Sequence, residues 1–378
     1  MKEILFNIPY IVEKQARYAE QAIISKRIAG DGKFTKMVHG FLEREFNTKK
    51  ALLTTSCTSA LEMASLLLNL KEGDEVILPS YTFVSTANAI VLRGARPVFA
   101  EVQPDTLNID PKDIERKITK KTRAVFPVHY AGVACDMDSI MDIAGNYKLK
   151  VVEDAAQGVT AKYKGQFLGT IGDIGCYSFH ESKNYSCGEG GAILINSDKD
   201  LMERAEIIRE KGTNRSKFFR GEVDKYTWTD IGSSYLPADI LAAFLLGQLE
   251  DRHLINARRK TVFDYYCESL KPLEEKGLLQ LPTIPKECQP NFHIFYILVR
   301  SEETRNGLID RLKEKGIQSF FHYVPLHLSP MGKKLGYEKG MLPLTEDLSQ
   351  RLLRLPIYPD LSMTDLEYIV GSIYQIIQ

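Results

Sequence analysis

Short apolar runs that alternate with helix-like segments dominate residues 50–200, and they constrain the fold more than any other feature. Runs rich in Val, Ile and Leu predict strands at 51–54, 75–78, 97–102, 123–128, 150–153, 175–179 and 191–195. Helix-like segments lie between them at 59–70, 85–93, 111–118 and 138–147. Strands that are apolar throughout are typical of a parallel sheet covered by helices on both faces. The pattern therefore predicts an α/β layered domain with a mostly parallel sheet.

The regular alternation of predicted strands and helices ends after about residue 200. A charged helix, a polar and aromatic stretch and one long helix are predicted at 200–211, 212–228 and 237–266. The remaining sequence predicts a smaller α+β region. Its strands and helices fall at 292–299, 303–315, 318–322 and after Ser362.

The length of the chain predicts two domains, because 378 residues exceed what one typical hydrophobic core supports. We place the boundary near residue 255. This gives a large domain at 1–255 and a small C-terminal domain at 256–378. Residues 1–30 could pack on the small domain instead, since their sequence does not fix a partner.

Composition excludes several classes of protein. Lys plus Arg and Asp plus Glu both number 49, whereas a general nucleic-acid binder needs a basic excess. The six cysteines show no Cys-x-x-Cys pair and no metal-ligand spacing, which favours reduced thiols. The N-terminus lacks a signal-peptide core, and the most apolar stretch, 240–249, is far shorter than the ~20 residues of a membrane span. We therefore expect a cytoplasmic protein.

Lys183 lies between an apolar strand and a glycine-rich turn, in the sequence GCYSFHESKNYSCGEGG. A partly desolvated lysine has a lowered pKa, which favours imine formation with an aldehyde. Ligands of open α/β sheets bind at the carboxyl ends of strands, where Asp154 could pair with a protonated pyridine nitrogen. Gln157, on the next turn, could donate to a phenolic oxygen. The alternatives are a solvated surface lysine and an aspartate that caps a helix.

Small polar residues follow the first predicted strand, in the run TTSCTSAL at 54–61. Free N–H groups and the dipole at such a helix start bind anions such as phosphate, although a well-capped helix has the same composition. Ser178 could add a hydroxyl. The run SYTFVST at 80–86 offers an aromatic ring that could stack on a planar cofactor, or simply pack in the core. The order of these motifs along the chain favours a site for pyridoxal phosphate.

Two further segments hold candidate functional residues. His322 and His327 lie in FFHYVPLH, where no third ligand has a useful spacing, so we predict a substrate-contacting loop rather than a metal site. The stretch after residue 212 offers arginine forks that suit a diphosphate, although a solvated charged loop explains it equally well. Its candidates are Arg215, Lys217, Arg220, Lys225 and Tyr226.

In these motifs the chain resembles the DegT/DnrJ/EryC1/StrS family of sugar aminotransferases, pyridoxal-phosphate enzymes of the aspartate-aminotransferase fold (fold type I). The resemblance runs from GDGKFT at 30–35 to LPIYP at 355–359. Its most specific segments are SFHESKNYSCGEGGA, VVEDAAQG, PSYTFVSTANAIVLRGA, PVHYAGVACDMD and DKYTWTDIGSSYLPADI. The resemblance implies pyridoxal 5'-phosphate as cofactor and a homodimer whose subunits share the active site.

The resemblance also implies a role for each matched residue. Lys183 matches the lysine that bonds covalently to the cofactor, Asp154 the partner of the pyridine nitrogen, and Gln157 the partner of the phenolic oxygen. Ser178 matches a phosphate ligand, and Phe83 matches the aromatic residue that stacks on the cofactor ring. The backbone amides that meet the phosphate in the family match Cys57 and Thr58.

Ser234 departs from the family pattern. Many relatives have an asparagine there, which reaches the phosphate bound to the neighbouring subunit. Serine is shorter, so this contact is either lost or made through water. Lys183 argues against the dehydratase branch of the family, in which a histidine replaces the lysine.

Within the family, the sequence looks most like enzymes that use glutamate to convert dTDP-4-dehydro-6-deoxyglucose to dTDP-4-amino-4,6-dideoxygalactose. These enzymes supply precursors of lipopolysaccharide or other surface polysaccharides. The alternatives are the 4-amino-4,6-dideoxyglucose epimer, a 3-ketosugar aminotransferase and a pyridoxal-phosphate-dependent sugar dehydratase. A non-catalytic protein on the same scaffold is disfavoured, because Lys183, Asp154 and Gln157 are all present.

Overall fold

A computed structural model of the protein describes residues 3–197 and 199–377. Its α-helices are α1 (Glu13–Ile24), α2 (Lys33–Phe46), α3 (Cys57–Leu67), α4 (Val84–Val91), α5 (Pro111–Arg116), α6 (Met137–Tyr147), α7 (Lys199–Arg209), α8 (Arg215–Phe219), α9 (Asp239–Glu250), α10 (Arg252–Glu275), α11 (Glu302–Glu314), α12 (Pro330–Lys334), α13 (Pro343–Arg351) and α14 (Met363–Ile377). Its strands are β1 (Lys50–Thr54), β2 (Glu75–Pro79), β3 (Arg96–Ala100), β4 (Thr122–Val125), β5 (Lys150–Asp154), β6 (Lys162–Tyr163), β7 (Gln166–Phe167), β8 (Ile174–Ser178), β9 (Gly191–Ile195), β10 (Leu279–Gln280), β11 (Cys288–Gln289), β12 (Phe295–Val299) and β13 (Leu352–Leu355). Within the described residues, no helix is long and apolar enough to cross a membrane.

The largest sheet has seven strands in the order β1-β9-β8-β5-β4-β2-β3. Its pairs are parallel except those of β9, which runs antiparallel to both β1 and β8. Leu53 of β1 belongs to the core under α2, α6 and α9, whereas its neighbour Leu52 belongs to the core under α3, α4 and α7. Helices therefore cover both faces, and the prediction of a mostly parallel α/β sheet is confirmed.

A second sheet of three antiparallel strands, in the order β10-β12-β13, forms the centre of the C-terminal region. Its core includes Phe295 of β12, Tyr266 of α10 and Ile369 of α14. A third, small sheet joins β11 to β6 and β7, so that the C-terminal region also pairs with a hairpin of the large domain.

The single helix predicted at 237–266 is wrong, because two helices occupy this stretch. The first, α9, ends at Glu250, and the next residue, Asp251, has a φ of −99° and a ψ of 16°, outside the helical region. The next residue begins α10. The flanking residues Glu250 and Arg252 are good helix formers, so the sequence contains no glycine or proline that signals the break.

The strand predicted at 318–322 is also wrong. Phe320 makes only an isolated bridge with Arg354 of β13, and Ile317 makes a similar one with Ile4. The composition of an apolar segment does not reveal whether it pairs along its whole length or at one residue, because the pairing depends on the neighbouring strand.

The residues before α2 contact both parts of the molecule. Ile4 pairs with the C-terminal region, whereas α1 packs on α9, where Lys14 Nζ lies 2.7 Å from Asp251 Oδ1. The predicted boundary falls in the first turn of α10. Ile255 of this helix belongs to a core of the large sheet, and Val262 belongs to the core of the small sheet. The division at residue 255 stays a prediction.

Candidate active site

A cavity of about 530 Å³ opens where β5 and β8 end. This volume lies within the ~300–1,000 Å³ that is typical of small-molecule sites. The cavity lining includes most of the residues predicted from the sequence, namely Cys57, Thr58, Phe83, Asp154, Gln157, Ser178, Lys183 and His322. Other parts of its lining come from the N-terminal segment and the C-terminal region, including Phe6, His293, Tyr323 and Arg354.

Asp154 is a buried carboxylate at the end of β5, and only 5% of it is exposed. It accepts hydrogen bonds from Thr86 Oγ1 at 2.7 Å and from the Ala156 N–H at 3.1 Å. Burial nevertheless raises the pKa of Asp154. Among the described residues no basic side chain forms an ion pair with it. A protonated ring nitrogen fits this position, since an opposite charge offsets the cost of burying the carboxylate.

Gln157 is held at both ends of its side-chain amide. Oε1 accepts the Ala131 N–H at 2.7 Å, so Nε2 is the donor that lies 3.1 Å from Tyr323 Oη. Nε2 carries two hydrogens, and the second is available for a phenolic oxygen in the cavity. The Tyr323 hydroxyl accepts from Gln157, which leaves its own hydrogen to donate elsewhere.

Lys183 lies in the turn after β8, where its N–H donates to His180 O at 2.9 Å. Its side chain lines the cavity, and burial lowers the pKa of the Lys183 amine. Cys57 and Asp154 oppose this shift, and the Arg354 guanidinium adds to it. A lowered pKa increases the fraction of neutral amine, which is the nucleophilic and basic form.

The start of α3 is suited to an anion. Ser56 is its N-cap residue, and Ser56 Oγ accepts the Ser59 N–H at 3.0 Å. The first amides of the helix, those of Cys57 and Thr58, have no acceptor within the helix itself. Ser178 lines the same cavity and adds a hydroxyl. Phosphate fits this group because the N–H groups and the helix dipole present positive charge there.

Gly191, at the start of β9, packs directly against this anion loop. A Cβ on Gly191 would overlap Cys57 N and Ser56 C, so only glycine allows the strand to pass so close. The glycine-rich turn after Lys183 therefore has a structural purpose, which is to bring the lysine segment and the anion loop together.

Phe83 is 56% exposed at the start of α4 and lines the cavity, with its ring centroid 6.4 Å from that of Tyr323. An accessible ring at this place can stack on a planar group. The cavity thus combines a stacking ring, a buried carboxylate, an amine of lowered pKa and an anion-binding helix start. Pyridoxal phosphate fits these residues.

Comparison with known proteins identifies the family. The sequence profile of the DegT/DnrJ/EryC1/StrS aminotransferase family matches residues 9–374. This chain belongs to that family. The predicted family resemblance, fold class and enzyme class are confirmed.

Relatives of this aminotransferase match it over most of its length. GDP-perosamine synthase of Escherichia coli O157:H7 is 34% identical over 377 residues, which cover 99% of this chain and 98% of that protein. The spore coat polysaccharide biosynthesis protein SpsC of Bacillus subtilis is 33% identical over 348 residues, 89% of this chain and 88% of SpsC.

Among solved structures, Spr1654 from Streptococcus pneumoniae in its PLP-form superposes with a TM-score of 0.92 at 26% identity. The match covers 100% of this chain and 99% of that one. Family membership and this PLP-form structure confirm pyridoxal phosphate as the cofactor of this sugar aminotransferase.

Some predicted residues of the aminotransferase do not line the cavity: Arg215, Arg220, Lys225, Tyr226 and Ser234. Arg215 Nη1 lies 2.7 Å from Glu210 Oε1. Arg220 pairs with Glu206 at 2.8 Å and with Glu222 at 2.6 Å. A diphosphate at these arginines would compete with carboxylates of the same chain. Their role in nucleotide binding stays a prediction, as does that of Ser234.

His327 does not line the cavity, and its role as a substrate contact stays a prediction. Its ring is fully buried, with Nδ1 2.7 Å from Ser80 Oγ and Nε2 3.0 Å from Glu346 Oε1, so neither nitrogen is free for a substrate. His322 does line the cavity, and its Nδ1 lies 3.0 Å from Tyr130 Oη. In the part of the chain that the structure describes, no group of three or more His, Cys, Asp and Glu side chains could hold a metal ion.

His293 is a cavity residue that the sequence analysis missed. Its Nδ1 lies 2.8 Å from Asn184 Oδ1, and Asn184 Nδ2 donates to Asn291 O at 2.7 Å. This second bond fixes the amide, so Nδ1 of His293 carries the hydrogen. Burial lowers the pKa of His293, which keeps the ring neutral and makes Nε2 an acceptor.

Thr86, Tyr323 and Arg354 were missed as well, because the fold alone brings Tyr323 and Arg354 to the cavity and Thr86 to Asp154. Thr86 lies in a motif that was noted only for its aromatic residue. Arg354 interrupts the apolar run LLRLP at 352–356. A single charged residue inside an apolar run was the only feature of the sequence that could have marked Arg354 as a functional residue.

Proposed function

We propose that this aminotransferase moves the amino group of L-glutamate to the carbonyl carbon of a nucleotide-linked 4-ketosugar. The observation that carries the proposal is the presence of the Lys183 amine and the unpaired Asp154 carboxylate in one cavity of a sugar aminotransferase. The names of the relatives support a nucleotide sugar, since one is a GDP-perosamine synthase and another belongs to spore coat polysaccharide biosynthesis.

The residues of the cavity would hold the cofactor by distinct contacts. Asp154 would keep its ring nitrogen protonated, and Gln157 Nε2 would donate to its phenolic oxygen. The amides of Cys57 and Thr58 and the Ser178 hydroxyl would bind its phosphate. When bound, the cofactor supplies an electron sink for the carbanion that deprotonation of the amino donor creates.

Lys183 would move the protons. Its neutral amine removes the proton from the α-carbon of glutamate, and in the second half of the reaction its ammonium delivers a proton to carbon 4 of the sugar. A single group that acts as base and as acid works best when its pKa is near the working pH. The burial that lowers the pKa of Lys183 acts in this direction. The two half-reactions predict ping-pong kinetics.

The substrate that we propose is dTDP-4-dehydro-6-deoxyglucose, which would give dTDP-4-amino-4,6-dideoxygalactose. A GDP-linked 4-ketosugar is the second candidate, because GDP-perosamine synthase is 34% identical over almost the whole chain. The gluco epimer and a 3-keto substrate would require a different orientation of the sugar ring, but the same contacts to the cofactor.

The test is an assay of purified protein, loaded with pyridoxal phosphate, with glutamate and either the dTDP-linked or the GDP-linked 4-ketosugar. We expect equal amounts of 2-oxoglutarate and amino sugar with the dTDP substrate. Product formation only with the GDP substrate would move the assignment to the second candidate. Loss of a sugar hydroxyl without incorporation of nitrogen would instead identify a dehydratase.

We also propose that the active form is a homodimer in which a second copy completes the cavity. The segment that carries Arg220 and Ser234 exposes large aromatic side chains, including Phe219 at 69% and Trp228 at 79%. Such patches are typical of interfaces. Light scattering should give twice the 42.8 kDa of one chain. If Arg220→Ala leaves the KM for the nucleotide sugar unchanged, Arg220 is not a ligand of the diphosphate.

A further inference from the structure

His293 presents a hydrogen-bond acceptor to the cavity that has no partner in the protein. The residue lines the cavity, and only 8% of it is exposed. Because Nδ1 donates to Asn184 Oδ1 at 2.8 Å, Nε2 of the neutral ring carries a lone pair. Among the described residues, no donor bonds to this nitrogen. A largely buried acceptor is poorly solvated, so a ligand that donates to it gains free energy.

The backbone that carries His293 is held in an uncommon conformation. Phe292 has a φ of 55°, in the left-handed region that bulky residues rarely adopt. The buried Arg259 holds this segment, because Nε donates to Phe292 O at 3.0 Å and Nη2 donates to His293 O at 2.7 Å. Asn291 Nδ2 donates to Gln157 O at 2.8 Å. Strained backbone that its surroundings hold in place is typical of functional sites.

The same contacts place the His293 ring beside the reacting amine. Asn184, which accepts from His293, is the residue after Lys183, and its Nδ2 donates to Asn291 O at 2.7 Å. Lys183 and His293 both line the cavity, and burial together with the charge of Lys183 lowers the pKa of His293. Carbon 4 of the sugar has to reach Lys183 to receive a proton. His293 Nε2 is therefore expected near the substituents of the neighbouring carbons 3 and 5.

The two substrates differ in what they offer to an acceptor. The carboxylates of glutamate are themselves acceptors, and its amino group is the group that is transferred. The 4-ketosugar carries a hydroxyl on carbon 3, whereas carbon 5 bears the ring oxygen and the methyl group of a 6-deoxy sugar. The 3-hydroxyl is thus the hydrogen-bond donor next to the reacting carbon, and the lone pair of Nε2 is complementary to it.

We propose that His293 Nε2 accepts a hydrogen bond from the 3-hydroxyl of the ketosugar and so selects substrates that carry this hydroxyl. The inference rests on the proposed function, because it assigns a contact to the second half-reaction. His293 binds and orients the sugar, and Lys183 transfers the proton. A site built to bond a hydroxyl rejects an analogue that lacks it, since the acceptor then stays unpaired.

The test compares dTDP-4-dehydro-6-deoxyglucose with its 3-deoxy analogue in single-turnover reactions of the aminated enzyme. The wild type should prefer the 3-hydroxy substrate by about tenfold or more, as expected for an uncharged hydrogen bond. His293→Asn keeps an amide donor at the place of Nδ1 but has no atom at Nε2, so the preference should be lost. His293→Gln places an amide oxygen near Nε2 and should restore it. His253→Gln, at an exposed position of α10, is the matched control.

Calorimetric binding of dTDP-6-deoxyglucose supplies a readout without turnover, since this sugar has a hydroxyl in place of the ketone and cannot react. Its dissociation constant should rise about tenfold in His293→Asn and stay near the wild-type value in His293→Gln. The half-reaction with glutamate and the thermal midpoint should be unchanged in both variants. A merely structural role of His293 would slow both half-reactions together and leave the preference for the 3-hydroxyl intact.

Three results would overturn the proposal. The first is a wild-type enzyme that uses the 3-deoxy analogue equally well, a comparison that needs no variant. The second is an unchanged preference in His293→Asn, which would exclude His293 as the acceptor. The third is an equal loss in both half-reactions, which would mean that His293 acts on Lys183 or on the fold and not on the sugar.

These outcomes differ from a failure of the proposed function. If the wild-type enzyme forms no amino sugar from the dTDP-linked or the GDP-linked 4-ketosugar, the proposed function is wrong. If only the GDP-linked sugar reacts, the comparison uses the 3-deoxy analogue of that sugar. If the enzyme aminates the sugar without a preference for the 3-hydroxyl, the proposed function stands and the role of His293 is wrong.

Discussion

Asp154 and Lys183 lie in one cavity, and burial shifts each of them toward its neutral form. Neither has an ion-pair partner among the described side chains. The carboxylate is prepared for a cationic ring nitrogen, and the amine is prepared for proton transfer. Their neighbours adjust these properties, because Thr86 donates to Asp154 and Arg354 repels the protonated form of Lys183.

Lys183→Ala should reduce amino transfer by more than roughly 10²–10⁴-fold, the range of general acid–base catalysis, since no other amine takes its place. The measurement is the initial rate of 2-oxoglutarate formation. Lys164→Ala, which removes an exposed lysine that pairs with Asp138, should have no effect. Substantial transfer by Lys183→Ala would exclude Lys183 as the catalytic residue.

Thr86→Val keeps the volume of the side chain but removes the hydroxyl that donates to Asp154. The pKa of Asp154 should rise further, because that hydrogen bond lowers it. A carboxylate that protonates more readily pairs less well with the ring nitrogen. We expect the dissociation constant of pyridoxal phosphate, measured by absorbance titration, to rise about tenfold. Thr86→Ser should bind normally, and equal affinities of the two variants would contradict this role.

At the residue scale, sequence reasoning found the residues whose type is unusual for their place. Lys183 adjoins an apolar strand and Asp154 ends one, so both stand out. Thr86 and His293 do not, since hydroxyls and single histidines are common in buried segments. Their roles depend on contacts with residues that are distant in the chain, such as the 68 positions between Thr86 and Asp154.

At the scale of elements, side chains form hydrogen bonds with backbone groups on the unpaired edge of β1. Strand edges present unpaired N–H and C=O groups that favour aggregation unless they are covered. The N–H groups of Ala51 and Leu53 donate to Glu43 Oε1 at 3.1 Å and to His39 Nε2 at 2.8 Å, both from α2. On the same edge, Arg209 Nε donates to Leu53 O at 2.7 Å. The strand that leads into the anion loop is thereby fixed.

The His39 contact predicts a pH-dependent stability. Burial lowers the pKa of His39 from 6.5 to about 3, and the charge of Arg209 adds to this shift. In the folded protein Nε2 is therefore unprotonated and accepts the Leu53 N–H. The contribution of His39 to the free energy of unfolding is therefore complete above pH 6.5 and is lost as the pH falls from 6.5 toward about 3. Below pH 6.5 the free energy of unfolding should fall by up to about 1.4 kcal/mol per pH unit from this residue.

Urea denaturation at pH 7 and pH 5 measures this effect. His39→Gln offers an amide oxygen that accepts the same N–H and does not titrate in this range. The variant should therefore lose less stability between the two pH values than the wild type. Identical losses would mean that His39 does not contribute to the acid sensitivity.

Sequence patterns predicted the strands of the large sheet because most residues of each strand are apolar and buried. Such patterns could not predict the antiparallel direction of β9, since the same apolar residues suit parallel and antiparallel pairing. The break at Asp251 carried no glycine or proline. The sequence therefore did not predict strand direction or helix boundaries where tertiary contacts, rather than local composition, determine them.

At the scale of the whole molecule, the cavity is built from parts that lie far apart in the sequence. The large sheet supplies Asp154 and Lys183, the N-terminal segment supplies Phe6, and the C-terminal region supplies Tyr323 and Arg354. The loop that leads out of the cavity after Tyr323 is tied to the large sheet, because buried His327 bonds to Ser80 after β2. The position of the C-terminal wall of the cavity relative to the large sheet is thus fixed by this contact.

His327→Ala should destabilise the protein by about 2–3 kcal/mol, because it removes both buried hydrogen bonds of the ring, to Ser80 Oγ and to Glu346 Oε1. The shift of the urea midpoint measures the effect, with the substitution His253→Ala, at an exposed position of α10, as control. The KM for the nucleotide sugar should stay near the wild-type value in the folded variant. A raised KM with unchanged stability would instead identify His327 as a substrate contact.

The proposed reaction places an amino group on carbon 4 of a nucleotide-linked sugar. Proton NMR of the product formed from dTDP-4-dehydro-6-deoxyglucose and glutamate tests this proposal. We predict a proton on carbon 4 whose chemical shift indicates attached nitrogen, with a small coupling to the proton on carbon 3, as an axial amine requires. A large coupling would identify the equatorial epimer. A product without nitrogen on carbon 4 would contradict the account.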